Sequence, residues 1–138
     1  METTLRPEQI EQLIQAAIKA GRCAYAPYSR FNVGAALLAA NHSIYAGCNI
    51  ENASFGLTIC AERAAVANAI ADGCRDFLAL AVVAQSEGGS LTPCGACRQV
   101  LAEFNPHLTV ICSNGIGQTR ILRLDDLLPY RFEFSPQR

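Results

Sequence analysis

Cys60-Ala61-Glu62 and Pro93-Cys94-Gly95-Ala96-Cys97 bring three thiols and one carboxylate to the starts of two apolar helical patterns. Thiolates are soft donors that suit zinc, and three protein ligands with an open fourth position make a catalytic rather than a structural site. Zinc lowers the pKa of bound water from near 16 to about 7, which provides a nucleophile at neutral pH if a neighbouring base manages its protons. Glu62 is that neighbour. Residues two apart do not share a face in mid-helix, so Cys60 and Glu62 converge only if Cys60 stands at a helix start or cap. Two helix N-termini, near Cys60 and near Cys94, would offset the negative charge of three thiolates on one divalent cation. Arg63 and Arg98, each following a cysteine, act in the same sense.

Each of these residues has a plainer reading. Cys94 and Cys97 alone would suit a redox dithiol or two buried thiols, but neither explains Cys60 and Glu62 opening another helix. A structural zinc would need a fourth ligand. Cys23, Cys48, Cys74 and Cys112 qualify by type, yet they fall in ordinary helix, strand or turn contexts, where a small buried cysteine is the common reading. His42, beside Asn41, and His107, after Pro106, read as surface residues. Glu62 without its flanking ligands would read as a favourable charge in a first helical turn.

The elements that must hold these groups follow from periodicity. Pro7 to about Ala24 carries Ile10, Leu13, Ile14, Ala17 and Ile18 at helical spacing, with Pro27 as its stop. Phe31 to Ala40 and Ser43 to Asn49 are strand-like runs around an Asn41-His42 turn. A second helix spans Cys60 to Ala71 and stops at Gly73, a buried strand spans Phe77 to Ala84, and a Gly-rich loop spans Ser86 to Leu91. A third helix runs from Cys94 to Phe104. Short strands at Leu108 to Cys112 and Thr119 to Leu124 flank a Gly115-Ile116-Gly117 turn, and Leu124 to Leu128 forms a brief last helix. Strands alternating with helices predict one three-layer α/β/α domain over residues 1–138, with a mixed five-stranded sheet and no linker or repeat.

Composition bounds the function. A chain of 138 residues buries enough surface to fold without disulfides. Its seven cysteines are an odd count, and no charged-then-apolar leader or membrane-length stretch is present, so reduced thiols in the cytoplasm are expected. With a net charge of -1 and scattered basic residues, the chain shows no footprint for a polynucleotide, and a small ligand is favoured. Hydrophobic residues, many of them alanine, make up 51% of the chain, a modest argument for self-association.

Zinc deaminases share a ligand and Glu one residue apart, followed by P-C-x-x-C, with an all-cysteine variant. The chain resembles the small cytidine deaminase family from about Tyr25 to Phe132. The resemblance is carried by Tyr28-Ser29-Arg30-Phe31-Asn32-Val33-Gly34-Ala35-Ala36, Gly47-Cys48-Asn49-Ile50-Glu51-Asn52-Ala53-Ser54, Cys60-Ala61-Glu62-Arg63, Pro93-Cys94-Gly95-Ala96-Cys97-Arg98 and Leu127-Leu128-Pro129. It implies one zinc per subunit on Cys60, Cys94 and Cys97, and hydrolytic deamination of cytidine and 2'-deoxycytidine in pyrimidine salvage, with Glu62 as proton shuttle. Asn49 and Glu51, placed on one face by the alternation around Ile50, are implied to hydrogen-bond the ribose hydroxyls. A carboxylate there would repel a phosphate, which favours nucleosides over nucleotides. Phe31 matches the aromatic that packs on the base, Ala61 offers a backbone contact to it, and Arg63 hydrogen-bonds the cysteine ligands rather than the substrate. Phe132 matches an aromatic that enters a neighbouring subunit's site in a homotetramer, with Phe134 a competitor for the role. Phe55 departs from the pattern, which often has Tyr there, so that hydroxyl is absent. Three readings stay open beside this one: a blasticidin-type deaminase, a polynucleotide deaminase, and a noncatalytic zinc-stabilised binding module that would leave Glu62 without a role.

Overall fold

In a computed structural model, residues 4–85 and 91–134 are described. The elements run α1 (Pro7–Gly21), β1 (Val33–Ala39), β2 (Ile44–Cys48), a 3-10 turn (Phe55–Leu57), α2 (Ala61–Ala71), β3 (Phe77–Ala84), α3 (Gly95–Phe104), β4 (Thr109–Ser113), β5 (Thr119–Arg123) and α4 (Leu124–Leu127). The sheet has the order β2-β1-β3-β4-β5, and only the β3–β4 pair is parallel. This is the expected mixed five-stranded sheet. Most of the expected Ser86 to Leu91 loop lies outside the described residues.

Side-chain alternation sorts the sheet's two faces. Ala36, Leu38, Ala79, Ala81, Val83 and Ile111 point towards Leu13, Ile14 and Ala17 of α1. Ala35, Leu37, Leu80, Val82, Val110 and Cys112 point the other way, where Ala61, Ala65, Val66 and Ala69 of α2 and Leu101 and Ala102 of α3 complete the core. Burying a Leu or Val side chain contributes about 1.5–3 kcal/mol, so these two layers hold the fold. No helix among the described residues is long and apolar enough to cross a membrane.

α1 begins as its sequence dictates, with Pro7 in the first turn and the Gln9 side chain accepting the Arg6 N–H at 2.9 Å. It ends at Gly21, short of the Ala24 expected and well before Pro27. The reason is a tertiary pairing. The Tyr25 N–H donates to the Asn49 carbonyl at 3.0 Å, and the Tyr25 carbonyl accepts from Glu51 at 2.8 Å, which draws that backbone out of the helix. A 3-10 turn at Phe55–Leu57, which no periodic pattern in the sequence marks, leads into α2.

Two glycines set the helix-to-sheet distances. A Cβ at Gly34 would lie 1.7 Å from the Ala17 carbonyl oxygen, so α1 rests directly on β1. A Cβ at Gly47 would lie 2.4 Å from the Ala65 nitrogen and 2.7 Å from the Ala61 oxygen, so the first turns of α2 rest on β2. The second contact fixes the start of the helix next to Cys60.

Candidate active site and metal centre

α2 and α3 both begin beyond the C-terminal ends of the parallel strands, where ligands collect in open α/β sheets. Cys60 and Cys94 are the N-cap residues of these helices, with extended backbones at φ -73° and φ -67°, and neither cap is closed by a side-chain hydrogen bond. Cys97 lies in the first turn of α3 and is fully buried. The three Sγ atoms lie within 4.8 Å of one another, and those of Cys60 and Cys94 are 4.0 Å apart. A tetrahedral zinc with Zn–S bonds of about 2.3 Å separates its sulfurs by about 3.8 Å, so the donor set fits that ion in type and spacing. Cys94 is exposed, which leaves an approach from solvent.

Glu62 is buried in the first turn of α2, close enough to Cys97 for each group to perturb the other's ionisation. Burial holds its carboxyl above the ordinary range, against the pull of its own backbone N–H and of Arg63. Burial likewise raises the Cys97 thiol, and the Glu62 charge adds to that. At Cys94 partial burial also acts upward, but the nearby N–H groups at the start of α3 and the neighbouring Cys97 and Cys60 thiols outweigh it and the net shift is downward. The Arg63 guanidinium donates to Cys60 Sγ at 3.5 Å and to the Thr58 carbonyl at 3.4 Å. Its Nε is buried without a hydrogen-bond partner, a local positive charge suited to a donor set carrying excess negative charge. Arg98 does not share that task. It donates to the carbonyls of Pro93 at 2.8 Å and Leu127 at 2.9 Å, so it braces the loop before Cys94 against α4, contrary to the expectation from its position after Cys97.

Glu51 faces a cavity of about 350 Å³ lined also by Tyr28, Ser29, Phe55 and Thr58. Its carboxylate accepts the N–H groups of Tyr28 at 3.0 Å and Ser29 at 3.1 Å, and the Ser29 hydroxyl. The Ser29 hydroxyl above all, with these backbone donors, holds the carboxyl below its ordinary value of 4.5, against the opposing effect of desolvation. A depressed folded value stabilises the fold above the unfolded pKa, and that contribution is lost as pH falls through the folded value. Ser29→Ala should therefore lower the unfolding midpoint most at neutral pH, with the gap to the parent closing in acid. A gap that persists in acid would show that Ser29 acts by some route other than the Glu51 charge.

Asn49 is buried and clamps the chain before β1: its Oδ1 accepts the Val33 N–H at 2.8 Å, and its Nδ2 donates to the Phe31 carbonyl at 2.8 Å. Phe31 is 40% exposed and lines a different cavity, of about 270 Å³, between α1 and β1 with Arg22, Arg30, Asn32 and Gln85. Ala61 is fully buried in the first turn of α2, where backbone N–H groups lack helical partners. Phe132 and Phe134 project outward at 72% and 78% exposure. The structure thus gathers Cys60, Cys94, Cys97, Glu62 and Arg63 into one cluster and sets Glu51 in a neighbouring cleft, with Phe31 tied by its N–H to Ser29 of that cleft and Phe132 projecting from the segment after α4. Sequence reasoning missed Tyr28, Ser29 and Thr58 as lining residues. A serine two before Phe31 was the available signal, since its hydroxyl accepts the Phe31 N–H at 3.0 Å in a local turn. Of the four remaining cysteines only Cys112 is buried, and burial pushes its thiol up to about 11. Cys23 is exposed, contrary to expectation.

A buried carboxylate against three convergent sulfurs, at the end of a parallel strand pair, defines a metal-dependent hydrolytic site. Residues 7–113 match the family described as the cytidine and deoxycytidylate deaminase zinc-binding region. The chain is 52% identical over 124 residues to a cytidine deaminase of Sporosarcina psychrophila, covering 89% of this chain and 90% of that one. The solved cytidine deaminase of Burkholderia pseudomallei superposes with a TM-score of 0.85 at 49% identity, over 88% of this chain and 98% of that one. That of Mycobacterium tuberculosis does so with a TM-score of 0.77 at 44% identity, over 90% and 97%. The chain belongs to the cytidine and deoxycytidylate deaminase family, and its Cys60, Cys94 and Cys97 cluster can hold the metal ion of that zinc-binding region.

Proposed function

We propose that this protein hydrolyses cytidine and 2'-deoxycytidine to the uracil nucleosides and ammonia, with Cys60, Cys94 and Cys97 holding one zinc and Glu62 moving the protons. The observation that carries the proposal is the Glu62 carboxylate, buried in the first turn of α2 two residues after Cys60, one of three convergent sulfurs. When bound, zinc supplies the Lewis acidity that makes a water nucleophilic near neutral pH. Glu62 takes a proton of the attacking water and gives it to the ring nitrogen, then takes the remaining proton of the added hydroxyl and delivers it to the departing amine, so that the C–N bond breaks, the hydroxyl becomes the uracil carbonyl, and water and cytidine become uridine and ammonia. Burial keeps bulk water from competing for that proton.

Glu51 sets the substrate class. Its lowered pKa keeps it charged at neutral pH, and a fixed carboxylate at the sugar disfavours a phosphate there, so nucleosides are preferred over nucleotides. Asn49 completes the ribose contact with the lone pair and N–H left over from its two backbone bonds. Phe31 packs on the base, the Ala61 N–H meets its carbonyl, and Arg63 steadies the cysteine ligands. Residues 1–138 act as one cytoplasmic domain in pyrimidine salvage, assembled as a homotetramer in which Phe132 enters a neighbouring site. The relatives named above, called cytidine deaminases, support the substrate assignment.

The test is the ultraviolet absorbance of cytidine incubated with zinc-loaded protein, because losing the 4-amino group changes the chromophore. Conversion to uridine, abolished on dilution to monomers, is expected. An intact zinc-loaded oligomer that leaves cytidine unchanged would overturn the assignment.

A further inference from the structure

The segment after α4 forms no helix or strand through Phe134, yet the backbone of Phe132 is tied down. The Gln99 side-chain amide grips it twice: Nε2 donates to the Phe132 carbonyl at 3.0 Å, and Oε1 accepts the Phe132 N–H at 3.1 Å. A primary amide presents a donor and an acceptor side by side, as a neighbouring strand would. Gln99 stands on α3 two residues beyond Cys97, and Arg98 before it holds the Leu127 carbonyl at 2.9 Å. The helix that carries the buried sulfur therefore also fixes where the exposed Phe132 ring projects.

We infer that Gln99 is a positioning residue: its amide clamp on the Phe132 backbone presets the Phe132 ring for entry into the site of a second copy of this chain. The inference rests on the reading of Phe132 given above. An untied segment would have to be ordered at association or at substrate binding, which weakens both. A ring that enters the site helps hold substrate while Glu62 handles the protons, so the clamp acts on KM rather than on kcat.

The test uses the assembled, zinc-loaded enzyme. Gln99→Leu is expected to raise KM for cytidine about tenfold with kcat within about twofold. Zinc content stays at the parental level, and amide hydrogen exchange at Phe132 becomes faster. Gln99→Glu, which keeps the acceptor but loses the donor, falls between. In a Phe132→Ala background Gln99→Leu adds nothing further, because the two act as one unit. Additive effects on KM, unchanged exchange at Phe132, or loss of zinc from the Gln99→Leu enzyme would each overturn the clamp. Parental KM in Phe132→Ala alone would overturn the reading of Phe132, and with it the purpose of the clamp, while the exchange measurement still reports whether the tie exists.

Discussion

Glu62→Gln is expected to cut kcat by about 10³–10⁴-fold, the scale of a lost general acid–base group. Zinc content and fold should survive. The amide is nearly isosteric with the carboxylate, and a neutral group costs less to bury than an ionised one, so the unfolding midpoint should stay level or rise. None of the three sulfur donors is touched, and Arg63 still reaches Cys60 Sγ and the Thr58 carbonyl. The decisive comparison is steady-state turnover of cytidine beside metal analysis of the same preparation. Near-parental turnover would remove Glu62 from the chemistry. Turnover lost together with zinc would make Glu62 a residue that assembles the site.

Gly47→Ala is expected to damage stability and activity together. Its methyl group would sit 2.4 Å from the Ala65 nitrogen, 2.7 Å from the Ala61 oxygen and 2.9 Å from the Ala64 carbonyl carbon, all backbone atoms that cannot rotate aside. Overpacking of this kind costs about 1–3 kcal/mol or more, a fall in melting temperature on the order of 5–15 °C for a chain of this size. The strain is relieved only by lifting the start of α2 off β2, which carries Ala61 and Glu62 away from Cys97. A misplacement of about 1 Å can cost about 10²-fold in turnover. Gly56→Ala, with nothing within 4 Å of its Cβ, serves as the control and should change stability by no more than about 0.5 kcal/mol. If Gly47→Ala melts like that control, the close approach of α2 to β2 does not set the position of the site.

The residues legible in the sequence were those whose role is local. Cys60 had to be a cap for Glu62 to converge with it, and it is the N-cap of α2. The run Phe77–Ala84 reads as a buried strand because apolar residues occupy both of its faces, and it is the strand at the centre of the sheet. Contacts made across long separations left no such trace. Nothing periodic marks Asn49 as the clamp on Val33 and Phe31, and nothing near Gln99 announces a partner 33 residues away. Arg98 shows the complementary failure. Its position next to Cys97 suggested charge compensation, but its side chain turns along the helix to the carbonyls of Pro93 and Leu127. The early end of α1 has the same origin, since a bridge between Tyr25 and Ile50 overrides a helical pattern that continues on paper.

The open caps of α2 and α3 have a consequence for how the chain is held together. Cys60 and Cys94 stand 34 residues apart, with α2 and β3 between them. An ion that takes all three sulfurs is a cross-link that closes this span. Removing the freedom of a disordered loop of that size from the unfolded chain is worth about 3–4 kcal/mol by the argument used for disulfides. The same atom would thus staple the starts of two helices, so a partly loaded preparation should melt as two populations, one of them more resistant to proteases, whatever its turnover.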